Sequence, residues 1–153
     1  MIKNHKHSGF TLLEFVPVLM IAVMLLIIVL FALNPAEWFA EARNTTRKHD
    51  ISLIADAIIE YSRDNDLFLL YTIPTSPDSS QEICGDALTG SCTGLFDINR
   101  IVGTYMVSVP IDPKSKDGDS SNEHSRYFII RNKQRFTISA VDAELDETIE
   151  VSR

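Results

Sequence analysis

The sequence predicts an α+β protein in which a long N-terminal helix, apolar at first and then amphipathic, packs against a small antiparallel sheet. Three observations lead there. From Phe10 to Leu33 only Thr11, Glu14 and Pro17 are not plainly apolar. From Ala36 to Arg63 apolar residues recur at helical spacing between charged ones. Beyond residue 104, short runs of β-branched and aromatic residues are separated by turn residues. The rest is ordinary in composition: 45% hydrophobic and 23% charged residues exclude a wholly disordered chain. A net charge of −7, from 14 basic and 21 acidic residues, opposes non-specific nucleic-acid binding.

As a helix, residues 10–33 would extend about 36 Å, against a hydrocarbon core of about 30 Å. A secretory signal peptide has an apolar region of only about 7–15 residues and then a small-residue cleavage site. Here the run is longer, and Asn34-Pro35-Ala36-Glu37 follows it. Lys3 and Lys6 precede the segment while Arg43, Arg47 and Lys48 follow it, so charge bias alone does not orient it. Glu14 lies one turn inside, where a carboxylate costs on the order of 2.5–3.5 kcal/mol, so it needs a partner or a place at headgroup depth.

The opening Lys3-Asn4-His5-Lys6-His7-Ser8-Gly9-Phe10-Thr11-Leu12-Leu13-Glu14 is a short basic leader ending in glycine, then phenylalanine, then a glutamate ahead of the apolar run. It resembles the class III signal of type IV pilins and the related type II secretion pseudopilins. The likeness continues through Asn34-Pro35-Ala36-Glu37 and Ala42-Arg43-Asn44. The resemblance implies a pilin-like fold and a leader of residues 1–9, removed by a prepilin peptidase between Gly9 and Phe10. It implies methylation of the Phe10 amine and, during assembly, pairing of Glu14 with the terminal ammonium of a neighbouring subunit. That pairing is physically coherent, since two opposite charges in an apolar bundle neutralise each other where either alone is prohibitive. Residues 10–33 would then be both membrane span and assembly helix.

The resemblance further implies self-assembly into a helical homo- or heteropolymer, as a pilus or as the pseudopilus of a secretion or DNA-uptake system, with the pilus assembly machinery as partner. The subunit would wait as a single-pass protein of the inner, cytoplasmic membrane with an extracytoplasmic C-terminal domain. The alternative of another class is a permanently anchored binding or sensor ectodomain, which needs neither a cleavable leader nor a buried carboxylate. One feature departs from the family: pilins commonly carry a proline about midway along the span, whereas this chain has Pro17 near its start and Pro35 at its far end. A bend or local melting is expected near each.

Asn34 is a good cap and Pro35 suits a first helical position, so an amphipathic helix is expected over 34–64. Its apolar groups are Trp38, Phe39 and Ala42, then Ile51, Ile54, Ala55, Ile58 and Tyr61. Arg43, Arg47, Lys48 and His49 could meet DNA phosphates, as in pilins used for natural transformation. The favoured reading is that they form a solvated or subunit-facing side of the helix, with Glu37, Glu41 and Asp50 nearby. Residues 65–103 read as a variable loop region, most polar at Thr75–Ser80, which carries Cys84 and Cys92. In an exported domain this pair favours a disulfide over a metal site, the alternative being two thiols in an envelope that does not oxidise them. Residues 104–153 read as the sheet, with strands over Thr104–Val109, Arg126–Ile130 and Arg135–Ala140 and a weaker one over Thr148–Val151. The middle two form a hairpin.

Asp112, Asp117, Asp119 and Glu123 are weak calcium candidates, oxygen ligands in a glycine-containing loop. Lys114 and Lys116 in the same loop oppose cation binding, so a solvated loop is the favoured reading, and no cofactor is expected. Nothing suggests catalysis. His5, His7 and His49 lie in the leader or on the long helix, His124 is in the polar loop, and there is no nucleophile elbow, phosphate-cradling glycine motif or paired zinc-ligand run.

Overall fold

The computed structural model describes residues 11–32, 34–65, 68–75, 79–85, 92–115 and 124–153. The chain divides into two units, Met1–Trp38 and Phe39–Arg153. The first contains α1 (Leu12–Ala32), whose unbranched and branched apolar side chains continue without interruption past Pro17. Pro17 removes one intrahelical bond, to the Leu13 carbonyl, yet the segment stays helical on both sides of it. The expected melting is therefore absent there. The helical run is interrupted at Asn34, which adopts φ 42°, a left-handed conformation that asparagine tolerates.

Helix α2 (Pro35–Asp64) starts as its sequence predicts. The Asn34 carbonyl accepts the Glu37 N–H at 3.0 Å, and the Asn34 side-chain amide donates to the Glu37 carboxylate at 3.0 Å. From Phe39 onward α2 belongs to the second unit, with a short α3 (Phe68–Thr72) and the strands β1 (Gln81–Cys84), β2 (His124–Asn132), β3 (Arg135–Ala140) and β4 (Ile149–Ser152). Among the described residues these strands form one antiparallel sheet in the order β1-β2-β3-β4. The class is α+β.

The pleat explains the core. Pairing Tyr127 with Ala140, Ile129 with Ile138, Ile138 with Val151 and Ala140 with Ile149 puts all these side chains on one face. That face shares a single buried cluster with Ile51, Ile54, Ala55 and Ile58 of α2. Trp38 and Phe39, grouped with the apolar positions of α2 by periodicity, stay outside it at 62% and 65% exposure.

Two expectations about strands are corrected. Thr104–Val109 is not a strand: Gly103, at φ 87°, donates its N–H to the Met106 carbonyl at 2.7 Å, and the Met106 N–H turns back to Ile101 at 3.2 Å. Met106 and Val109 are buried three residues apart while Val107 is 93% exposed, the spacing of a turn and not of a pleat. A strand lies instead inside the expected loop region. β1 pairs with β2 on one side, and on the other it exchanges backbone bonds with Phe96, whose N–H reaches the Glu82 carbonyl at 2.7 Å. Pairing on both sides lets so short a segment hold.

Arg47 corrects a third expectation. It is not on a solvated or subunit-facing side of α2 but fully buried. Its guanidinium grips Asp112, also fully buried, in a two-pronged pair with Nε–Oδ2 at 2.6 Å and Nη2–Oδ1 at 3.0 Å. Its Nη1 donates to the Asn44 side-chain oxygen at 2.8 Å and to Glu144 at 3.1 Å. Removing one member of such a pair strands the other charge without water. Arg47→Met in the full-length chain is expected to lower unfolding stability by about 3–5 kcal/mol. The double variant Arg47→Met/Asp112→Leu should recover most of that loss, as read by denaturant titration. Equal stability for wild type and Arg47→Met would contradict this assignment.

Candidate functional site

Helix α1 is the most unusual surface of the protein. None of its residues is buried, its mean hydropathy is 3.2 over a membrane-length window, and Leu12 and Phe31 stand 85% and 84% exposed. It is long and apolar enough to cross a membrane, which its 21 residues would span at about 31 Å. Gly9 and Phe10, the expected cleavage and methylation positions, lie outside the described residues.

Glu14 is described, and it has a local partner. Its carboxylate Oε2 accepts the Thr11 hydroxyl at 2.8 Å and the Thr11 backbone N–H at 3.1 Å, and its own N–H points back to the Thr11 hydroxyl at 3.4 Å. Thr11-Leu12-Leu13-Glu14 is thus a capping box, in which a threonine and the glutamate three residues on satisfy each other's donors at the helix start. The spacing is visible in the sequence, where the apolar run after it draws attention instead to an intermolecular or headgroup role for Glu14. One carboxylate oxygen, Oε1, takes no part in the box.

Cys84 and Cys92 are joined by a disulfide across eight positions, Cα to Cα 5.6 Å. It ties the end of β1, whose Cys84 is fully buried, to the segment that covers the outer side of that strand. Closing so small a loop contributes about 2–3 kcal/mol by the chain-entropy estimate. Asp112, the one calcium candidate among the described residues, has both carboxylate oxygens on Arg47 and also accepts the Lys114 backbone N–H at 2.8 Å. Asp117, Asp119 and Glu123 lie outside the described residues. Among the described residues no group of three or more metal-ligating side chains comes together.

The basic cluster on α2 is organised by a turn that sequence reasoning missed. Between β3 and β4, Leu145 and Asp146 adopt φ 60° and 54°, and the Glu147 N–H closes on the Glu144 carbonyl at 3.2 Å. Asn44 holds this left-handed turn by pairing with the Glu144 backbone like a strand, its amide nitrogen on the carbonyl at 2.7 Å and its oxygen on the N–H at 3.0 Å. Glu144 then receives Arg43 through two bonds at 2.6 and 2.7 Å and Lys114 at 3.0 Å, while Glu147 takes Lys48 at 2.5 Å. Three of the four candidate DNA contacts are therefore ion-paired within the fold, and His49 is exposed. No local signal in the sequence announces this, because the partners lie about a hundred positions apart.

Comparison with family models, with curated proteins and with solved structures finds no match to this chain.

The network has a pH signature. Hydrogen bonds from Arg43 first, then from Lys114 and Arg47, hold the Glu144 carboxyl far below its ordinary 4.5 against the opposing effect of burial. The Lys48 ammonium lowers Glu147, and Arg126, at 2.8 and 3.0 Å, lowers Asp142. Depressed carboxyls stabilise the fold above their unfolded values, and that stability is lost as pH falls through the folded ones. Tyr127 is raised by burial and by donating to Asp50 at 2.7 Å, so its contribution fades only above its ordinary value of 10. Stability of the full chain should hold from about pH 8 to about pH 5 and fall below about 4.5. Glu144→Gln should flatten that fall. An identical acid limb in the variant would show that Glu144 is not its source.

Proposed function

We propose that this chain is a pilin-like structural subunit of a type IV pilus or a closely related secretion pseudopilus, kept in the membrane by α1 and drawn through it into a helical fibre. The observation that carries the reading is an apolar helix with no buried residue that opens on a carboxylate, directly after Gly9-Phe10. Such a surface is stable only in lipid or against other apolar helices, and a fibre core of α1 copies supplies the second. On this reading a prepilin peptidase cuts between Gly9 and Phe10, and the new amine is methylated. The ammonium then meets Glu14 of a neighbour.

Two further features support it. The buried cluster of the second unit runs from Ile51 to Ile149, so the head closes a core of its own. The disulfide fits a head outside the cytoplasm. With Arg43, Arg47 and Lys48 taken up by carboxylates, the proposal includes no DNA contact on α2. The chemistry proposed is assembly and not turnover.

A second reading, the permanently anchored ectodomain, is favoured by one observation, the capping box that gives Glu14 a partner within its own chain. The two readings separate on one substitution. Glutamine serves in a capping box as glutamate does, so Glu14→Gln keeps the cap and removes the charge, whereas Glu14→Ala removes both. If Glu14 neutralises a neighbour's ammonium, both variants insert and are cleaved but leave that charge unpaired in every subunit, at about 3–5 kcal/mol each. Surface fibres should fall at least tenfold in both while mature protein accumulates in the membrane, with Glu14→Asp intermediate. Normal fibres from Glu14→Gln would limit Glu14 to capping, whereas a wild-type chain that keeps its leader and enters no fibre would favour the anchored ectodomain.

A further inference from the structure

The β2–β3 hairpin carries charge of the wrong sign for this protein. In a chain of net −7, Arg131-Asn132-Lys133-Gln134-Arg135 holds three cations and no acid. Arg43, Arg47, Lys48, Arg126 and Arg153 all have carboxylate partners. Arg131, Lys133 and Arg135 have none among the described residues. These three line a concavity of about 320 Å³ whose other walls are Leu70, Tyr71, Gln134 and Phe136.

Two details distinguish this concavity from a solvated turn. The Arg131 guanidinium lies over the Tyr71 ring, 5.5 Å from its centroid, and its Nε is buried without a hydrogen-bond partner. A buried donor left unpaired is costly, so this arginine is held in place without an internal acceptor for its Nε. Lys133, at the first position of the two-residue loop set by the Asn132–Arg135 pair, has φ 57°. Glycine would occupy that left-handed position with less strain, so the lysine holds its charge there at a cost in stability.

We infer that the β2–β3 hairpin and the adjoining α3 form a binding site for a phosphate monoester carried on an apolar or ring-bearing group. The fork of Arg131 suits a phosphate's paired oxygens, and Lys133 and Arg135 balance a charge near −2, more than a single carboxylate presents. Phe136, Leu70 and the exposed side of Tyr71 offer the apolar wall for the remainder of the ligand. The site uses no residue of the assembly reading and stands apart from it.

The test is calorimetric titration of the full-length protein in a neutral detergent, with phenyl phosphate, inorganic phosphate and benzoate as probes. Phenyl phosphate should bind saturably, one per chain and several-fold tighter than inorganic phosphate, with benzoate weaker than phenyl phosphate. Arg131→Gln should weaken phenyl phosphate at least tenfold, and Arg63→Gln, an exposed cation on α2, should leave it unchanged. Lys133→Gly should also weaken binding while unfolding at a temperature no lower than wild type, so its loss could not be attributed to misfolding. The inference is overturned by an absence of saturable phenyl phosphate binding, by undiminished binding in Lys133→Gly, or by an equal loss in Arg63→Gln. Equal affinity for phenyl phosphate and inorganic phosphate would overturn the apolar part of the ligand class.

Discussion

A guanidinium shut away from water must find a carboxylate and acceptors for its remaining donors, and Arg47 finds them in three separate parts of the chain. Asp112 anchors the segment that leads towards β2, and the Asp112 backbone N–H is itself bonded to the Ser125 carbonyl at 3.0 Å. Glu144 anchors the turn between β3 and β4, and Asn44 keeps that turn left-handed. One side chain on α2 thereby fixes the segment leading to β2 and the β3–β4 turn against the helix. The apolar cluster from Ile51 to Ile149 supplies bulk stabilisation, but hydrophobic contact is non-directional and would accept other placements of these loops. The polar centre selects one of them, a role for which a buried ion pair is better suited than for adding net stability.

The two units make opposite demands on their surroundings. The second closes its core internally, is cross-linked by Cys84–Cys92, and presents an ion-paired surface along the basic side of α2. The first buries none of its described residues, although those from Leu12 to Ala32 are among the most apolar in the chain. Water does not tolerate such a helix alone, so what this chain does is bound up with where α1 is placed. Thr11 and Glu14 settle the helix start locally and still leave one carboxylate oxygen outside the capping box. A cap and an intermolecular pair are therefore compatible on the same side chain.

Features governed by local chemistry were legible in the sequence. The apolar run, the Asn34-Pro35 restart, the hairpin around Lys133-Gln134 and the short strand at Ile149 all follow from periodicity and turn residues. Features governed by distant partners were not. Thr104–Val109 has the composition of a strand but folds as a turn because Gly103 reverses the chain and, among the described residues, no strand pairs with it. Gln81–Cys84 lacks the length and composition of a strand, yet it becomes one by pairing with β2 and with Phe96. Arg47 reads as a surface cation within a basic cluster because Asp112 and Glu144 are 65 and 97 positions away. Leu145 at φ 60° is equally hidden, since leucine is a poor marker of a left-handed turn and the Asn44 amide that supports it lies on another element.

The central claim is that α1 is an assembly helix released by cleavage at its own start, and the chemical identity of the mature N-terminus tests it most directly. Mass spectrometry of the protein isolated from its source cell, on the intact chain and on its N-terminal peptide, reads that identity without reference to any fibre. The account predicts a chain beginning at Phe10 and carrying one added methyl group on its amine. A mature chain that keeps Met1 and the residues through Gly9 would contradict it.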